Sequence, residues 1–248
     1  MEPSIPLALP AHTHIDRREG GGSSLGGVID HFGICVADLD QGRAFYTLAV
    51  ELLDGPERSE SGEFVEWNEF AIAQASDERP LTRGLHVAFT ASDRAQVDSW
   101  WEAMRDAGHP DLGAPGPRSE YSPSYYGAFI SDPAGNSVEA VHHDQVRSDG
   151  GSIDHLWLRV RDLDASTGFY KAVAPAIGAE VLTRRPDRTT IRRGGPPSLT
   201  LVQGEPTRNV HLAFSAPDTS TVDAFHQGAG HAVILITFAR EPDNHVGR

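Results

Sequence analysis

The feature that most constrains this chain is that it repeats itself. Ile29-Asp30-His31, Asp38-Leu39-Asp40 and Phe45-Tyr46 return in order as Ile153-Asp154-His155, Asp162-Leu163-Asp164 and Phe169-Tyr170, at an offset of 124. A second block, His86-Val87-Ala88-Phe89 with Asp93, Val97 and Asp98, returns as His211-Leu212-Ala213-Phe214 with Asp218, Val222 and Asp223, at an offset of 125. Two separate blocks holding nearly one offset point to a duplicated unit, and 248 residues suit two small domains. Residues 1–27 carry three prolines and the run Gly20-Gly21-Gly22-Ser23-Ser24, so they read as a flexible tail in which His12 and His14 are solvated. A complete domain over 28–146, a polar linker over 147–152 and a partial copy over 153–248 account for the rest.

Each repeat opens with strand periodicity and passes into a helix. Phe32, Ile34 and Val36 alternate with His31, Gly33 and Cys35, after which Asp38 or Asp40 caps a helix through Phe45 and Leu48. Strands are predicted at 64–68 and 70–74, with the next module beginning at Leu85. Val97, Trp100, Trp101 and Met104 fall at helical spacing and read as a core face. Strands at 126–131 and 137–141 flank Asp132-Pro133-Ala134-Gly135-Asn136, whose proline and glycine fit a tight hairpin. The first half therefore reads as βαβββ twice over, an α+β arrangement.

Composition narrows the partners. Thirty-five acidic against 21 basic residues give a formal charge of −14, which repels phosphate backbones and anionic lipid, so no nucleic acid and no membrane are expected as partners. The longest apolar stretch, Ala232 to Ala239, is far below the roughly 20 residues of a bilayer span, and no basic-then-apolar leader opens the chain. The single cysteine, Cys35, cannot form an internal disulfide, which suits a cytoplasmic location.

A histidine at the start of a strand, then Asp-Leu-Asp, a Phe-Tyr helix and a later Asp-Pro-x-Gly-x-x-x-Glu hairpin resemble the vicinal-oxygen-chelate superfamily of glyoxalases, bleomycin-resistance proteins and extradiol dioxygenases. The resemblance covers residues 28–145 fully and 151–226 partly. It implies paired βαβββ modules forming a cupped mixed sheet around a metal. It also implies one divalent ion (Fe, Mn, Ni, Zn or Co) held by His31, His86 and Glu139. The residue chemistry agrees, since two imidazoles and a carboxylate on one face of an ion leave positions free for substrate. Strand parity agrees too: Gly33 and Cys35 face with His31, Ala88 and Thr90 with His86, and Ser137 with Glu139, while Ile34, Phe89 and Val138 face away. Gln74 stands where glyoxalase I would place a fourth ligand, and Gln203 holds the corresponding place in the second half. A neutral amide is a weak donor and departs from that enzyme. His142 reads as a strand-end surface residue, and His143, on the face of Glu139, as a candidate partner of a ligand.

Three chemistries are common on the resembled scaffold: isomerisation through an enediolate, oxygen insertion into catechols, and epoxide opening. The extradiol pattern would place a tyrosine where this chain has Phe129 and a histidine near Glu120, Tyr121 and Ser122, so the groups that move protons in ring cleavage are absent from their usual positions. Thiol transfer to epoxides would place a threonine at Gly33. The remaining reading is Lewis-acid chemistry on a small oxygenated substrate, as in a glyoxalase-like isomerase or lyase. Tyr121 and Tyr126 are the weak catalytic candidates, with Tyr125 beside them in a loop that could clamp an aromatic ligand. The alternatives are a bleomycin-resistance type of binding protein without catalysis, for which the acidic surface favours a cationic drug, and an extradiol-type dioxygenase. In the second half His155 and His211 form a degenerate site. The carboxylate strand would fall beyond Arg248, Trp157 and Arg159 replace small cup-facing residues, and Glu241 and Asp243 have no strand to aim them. The unfinished sheet would leave a pairing edge and favour a homodimer.

Overall fold

The computed structural model describes residues 27–145, 147 and 151–231. Residues 1–26 of the predicted tail and 148–150 of the predicted linker, like the apolar run after His231 with Glu241 and Asp243, lie outside the described residues. The first module is β1 (Ile29–Val36), α1 (Leu39–Glu51), β2 (Ser59–Ser61), β3 (Phe64–Trp67) and β4 (Phe70–Gln74). The second is β5 (His86–Thr90), α2 (Arg94–Asp106), β6 (Asp111–Pro117), β7 (Tyr126–Ser131) and β8 (Ser137–His142). The third is β9 (Ile153–Val160), α3 (Leu163–Val173), β10 (Glu180–Arg185), β11 (Arg188–Arg192) and β12 (Ser198–Gln203), and the fourth contributes β13 (Val210–Phe214) and α4 (Thr219–His231). The architecture is α+β, as the sequence pattern implies.

The helices begin where the sequence supplies a cap. Asp38, Asp93 and Asp162 sit in extended backbone, and each carboxylate accepts the amide three residues on, of Gln41, Gln96 and Ala165. The amphipathic faces then bury Phe45, Tyr46, Ala49 and Val50 on α1 and Val97, Trp100 and Met104 on α2. Trp100 lies fully inside and donates its indole N–H to the carbonyl of Ala49 at 3.0 Å, which satisfies its polar atom and joins the two helices.

The strands assemble into two mixed sheets with the orders β13-β1-β4-β3-β2 and β10-β11-β12-β9-β5-β8-β7-β6. Modules do pair, but across the repeat boundary. The second module joins the third through antiparallel β5 and β9, with His86 opposite Trp157 and Ala88 opposite His155. The first joins the fourth through antiparallel β1 and β13, with Gly33 opposite His211. The two modules of residues 28–146 thus lie in different sheets, and this redistributes the strand-borne histidines.

The β7–β8 hairpin is held by one carboxylate. Asp132, 2% exposed, accepts the amides of Ala134 and Asn136, the side-chain amide of Asn136 and the hydroxyl of Tyr46 at 2.8–2.9 Å. Gly135 adopts φ +85, a region open to glycine without strain. The linker end is fixed by a second buried acid, Glu69, which accepts Arg147 Nη1 at 2.9 Å and the amide of Ser152 at 3.2 Å.

Candidate metal centre

On the eight-stranded sheet, three side chains from three adjacent strands converge. His86 comes from the start of β5, Glu139 from the middle of β8 and His155 from β9. Nε2 of His86 stands 3.2 Å from Nε2 of His155 and 3.0 Å from Oε2 of Glu139, and His155 Nε2 is 3.5 Å from the same oxygen. Donors bonded to one ion at about 2.0–2.2 Å stand about 3.0–3.5 Å from one another on an octahedral or tetrahedral shell, so the three atoms fit one face of such a shell. Among the described residues, this cluster is the group of side chains that could hold a metal ion.

The surroundings set each donor. His155 Nδ1 lies 2.7 Å from Asp154 Oδ1, and His86 Nδ1 lies 3.0 Å from the Ser137 hydroxyl. An Nδ1–H donated to these oxygens leaves the Nε2 lone pair free to face the cluster. Asp154 is itself shared, since its other oxygen accepts His143 Nε2 at 2.8 Å. The amide of Gln145 donates to His143 Nδ1 at 3.1 Å, which places the proton of that ring on Nε2. Glu139, 1% exposed, uses its second oxygen to accept the Tyr125 hydroxyl at 2.8 Å. Gly127 on β7 faces that same oxygen, and any side chain there would collide with it.

Burial and charge oppose each other here. Burial alone would raise the carboxyl of Glu139, but hydrogen bonds from His155 and His86 hold it below its ordinary value. Burial lowers His86 despite Glu139 beside it. For His155, burial is outweighed by hydrogen bonds to Asp154 and Glu139, and its value is pushed up to about 9. Burial and the Glu139 charge push the Tyr125 hydroxyl far above its usual range, so it remains a proton donor.

The cluster forms one wall of an open cleft of about 600 Å³, counting its mouth, which is room for a small organic molecule. The other walls include Tyr121, Phe129, Trp157, Arg159 and Val202. Tyr121 and Trp157 rings meet edge to face with centroids 5.8 Å apart.

Strand parity and module pairing explain where the sequence-predicted residues fall. His86 and Glu139 come together as expected, but His31 does not join them. It lies on β1 of the five-stranded sheet, with Nε2 3.2 Å from Nε2 of His211 and Nδ1 2.8 Å from Asp30. His155, expected in a degenerate second-half site with His211, instead stands with His86 and Glu139, because β9 pairs with β5. Gln74 is on the opposite face of β4 from Ala71 and Ala73. Its amide accepts Leu39 N–H at 2.9 Å and donates to the Ala37 carbonyl, closing the entry to α1. Gln203 likewise is the strand neighbour of Val202, which lines the cleft. Of the tyrosines, Tyr121 lines the cleft, whereas Tyr126 points to the helix side and donates to Asp98 on α2 at 2.8 Å. Tyr125 was named only as part of the loop, yet it is the one bonded to Glu139. Trp157 was expected to fill space in a second cup; it is a wall of the first. The parallel Asp-His pairs, Asp30-His31 and Asp154-His155, were the available sign that both strand histidines are oriented in the same way.

Paired βαβββ modules thus bring two histidines and a carboxylate together on a shared sheet, where they could hold a metal ion. Residues 28–140 match the Glyoxalase/Bleomycin resistance protein/Dioxygenase superfamily, so this part of the chain carries a domain of that superfamily. Among solved structures, glyoxalase I from Zea mays is similar at 19% identity and TM-score 0.56, covering 83% of this chain and 80% of that one. Its V278E mutant gives 20% identity and TM-score 0.59 over the same shares. A putative dioxygenase from Bacillus subtilis is similar at 14% identity and TM-score 0.55, covering 82% of this chain and 75% of that one. At these identities the likeness concerns the fold. The search of curated proteins gives no match. No helix among the described residues is long and apolar enough to cross a membrane.

Proposed function

We propose that the chain is a metal-dependent enzyme that acts on a small oxygenated molecule in the cleft, with His86, Glu139 and His155 holding one divalent ion. The observation that carries this reading is the convergence of three donor atoms at 3.0–3.5 Å, each with its second polar atom already engaged by a neighbour. A divalent ion in that position supplies a Lewis acid for a carbonyl or hydroxyl oxygen. The chain's own residues supply the rest. Asp154 and Ser137 hold the imidazoles, Tyr125 holds the carboxylate, and the Tyr121 and Trp157 rings shelter the cleft from water. The mixed N₂O donor set does not select among Fe, Mn, Ni, Zn and Co.

Isomerase or lyase chemistry of the glyoxalase kind fits better than catechol cleavage. Phe129 lies 5.9 Å, ring to ring, from His86, and it offers no proton to an oxygenated ligand there. A non-catalytic binding protein is the reading from another class, and the cluster weighs against it. The test is elemental analysis and titration calorimetry of purified protein with Zn(II), Ni(II) and Mn(II), followed by aldehyde and 2-oxo-acid substrate panels. Failure of every ion to bind would leave the binding-protein reading, and turnover only with bound ion would establish the enzyme.

A further inference from the structure

The cleft differs in charge from the molecule around it. The chain carries −14 overall, yet the lining residues include one carboxylate, Glu139, and one guanidinium, Arg159. Glu139 would be matched by the ion. Arg159 has no acidic partner among the described residues, and it stands close enough for its charge to lower His86. Its backbone is pinned on both sides by Thr207, whose hydroxyl accepts its N–H and whose amide donates to its carbonyl, each at 2.9 Å. Its side chain passes between two glycines. A Cβ on Gly204 would come within 3.5 Å of its stem, and one on Gly84 within 3.9 Å of its Nη1. The strand holds the backbone of this exposed arginine in place and leaves its charge unmatched by any ion pair among the described residues.

The spacing along β9 gives the ligand its shape. His155, Trp157 and Arg159 face the same way on consecutive alternate positions, so from donor to cation the backbone covers about 13 Å at roughly 3.3 Å per residue. Between them stands an indole, with Tyr121 edge-on to it. Arg188 covers both rings, its guanidinium carbon 4.9 Å from the Trp157 centroid and 5.7 Å from that of Tyr121. Arg188 is itself paired with Asp187 at 2.9 Å, so it braces the aromatic wall, whereas Arg159 is the cation left for a ligand.

Resting on the metal-centre reading above, we infer that the ligand is an elongated anion: oxygen donors at one end meet the ion, a flat middle lies along Trp157 and Tyr121, and a carboxylate or comparable anionic group at the far end pairs with Arg159. This is the opposite of the cationic ligand that the overall charge suggests. An exposed guanidinium at the mouth of the cleft can still give a carboxylate a charge-assisted, bidentate pair, and it repels a cation.

The test uses Zn(II)-loaded full-length protein and two probes that differ only at the far end, 3-(3,4-dihydroxyphenyl)propionate and its primary amide, kept anaerobic and followed by tryptophan fluorescence. The expected result is an acid bound about tenfold or more tighter than the amide, a preference that disappears in Arg159→Gln while Zn(II) affinity stays unchanged. Equal affinity for the two probes, a preference that survives Arg159→Gln, or no binding of the acid at millimolar concentration would each overturn the inference. The same titrations on chelated protein and on His155→Ala separate the two readings. Loss of metal binding with a retained acid preference would remove the ion and keep the anion subsite, and the reverse would do the opposite.

Discussion

At the scale of single residues, the centre separates donors from bystanders. His155→Ala removes a donor and should weaken Zn(II) binding by at least about a hundredfold, because losing even an outer partner of a ligand costs about 10–100-fold. His31→Ala, on the other sheet, should leave that affinity within about twofold, as expected for sites with no shared partners. Calorimetric titration of both variants reads the difference, and equal losses would restore the trio expected from sequence. Gly127→Ala is the steric counterpart. Its methyl would meet Oε1 of Glu139, so the carboxylate must turn away from Tyr125 and from the histidines. Metal affinity should fall, and urea unfolding should show a loss of about 1–3 kcal/mol, the usual cost of overpacking. Unchanged values for both would mean that Glu139 is not positioned from β7.

At the scale of elements, the β7–β8 hairpin depends on Asp132. Asp132→Ala leaves four donors around a buried turn without an acceptor, and one unsatisfied buried group costs about 1–3 kcal/mol. The prediction is a stability loss of about 3 kcal/mol or more in chemical denaturation, with part of it recovered in Asp132→Asn, which keeps a carbonyl acceptor. This turn, with the caps at Asp38, Asp93 and Asp162, was legible in the sequence because its chemistry is local. The strands with clean alternation were legible for the same reason. By contrast β6, Asp-Leu-Gly-Ala-Pro-Gly-Pro, carries two glycines and two prolines and gives no strand pattern. It forms because it is an edge strand, where proline's missing N–H costs little. The same alternation puts the two glutamines on the other face, since each directly adjoins a residue of the cup side.

At the scale of the whole molecule, the sequence revealed modules and a duplication but not which module pairs with which. Alternation fixes the face that a side chain occupies. It does not name the neighbouring strand, and β5 and β9 meet across a boundary that local pattern treats as a seam. That is why His155 was grouped with His211 from sequence, whereas the structure sets it beside His86 and Glu139. The arrangement predicts a global effect of the ion: with free Zn(II) at a hundred times its dissociation constant, the folded state gains about 2.7 kcal/mol. Thermal denaturation with and without chelator should show this shift in wild type and lose it in His155→Ala. A shift of equal size in that variant would place the bound ion elsewhere.

The β5–β9 seam also sets an order of events. A chain emerging from the ribosome presents His86 and then Glu139 before His155, and β9 sits between β5 and β12 in the finished sheet. Glu139 precedes His155 by 155 − 139 = 16 residues, so synthesis at roughly 5–20 residues per second separates them by about 1–3 s. Until β9 arrives, the nascent chain can offer an ion only two donors, a grip too weak to commit to any particular metal. If the proposed centre holds an ion, the choice of metal would thereby fall at the moment when the second repeat docks on the first.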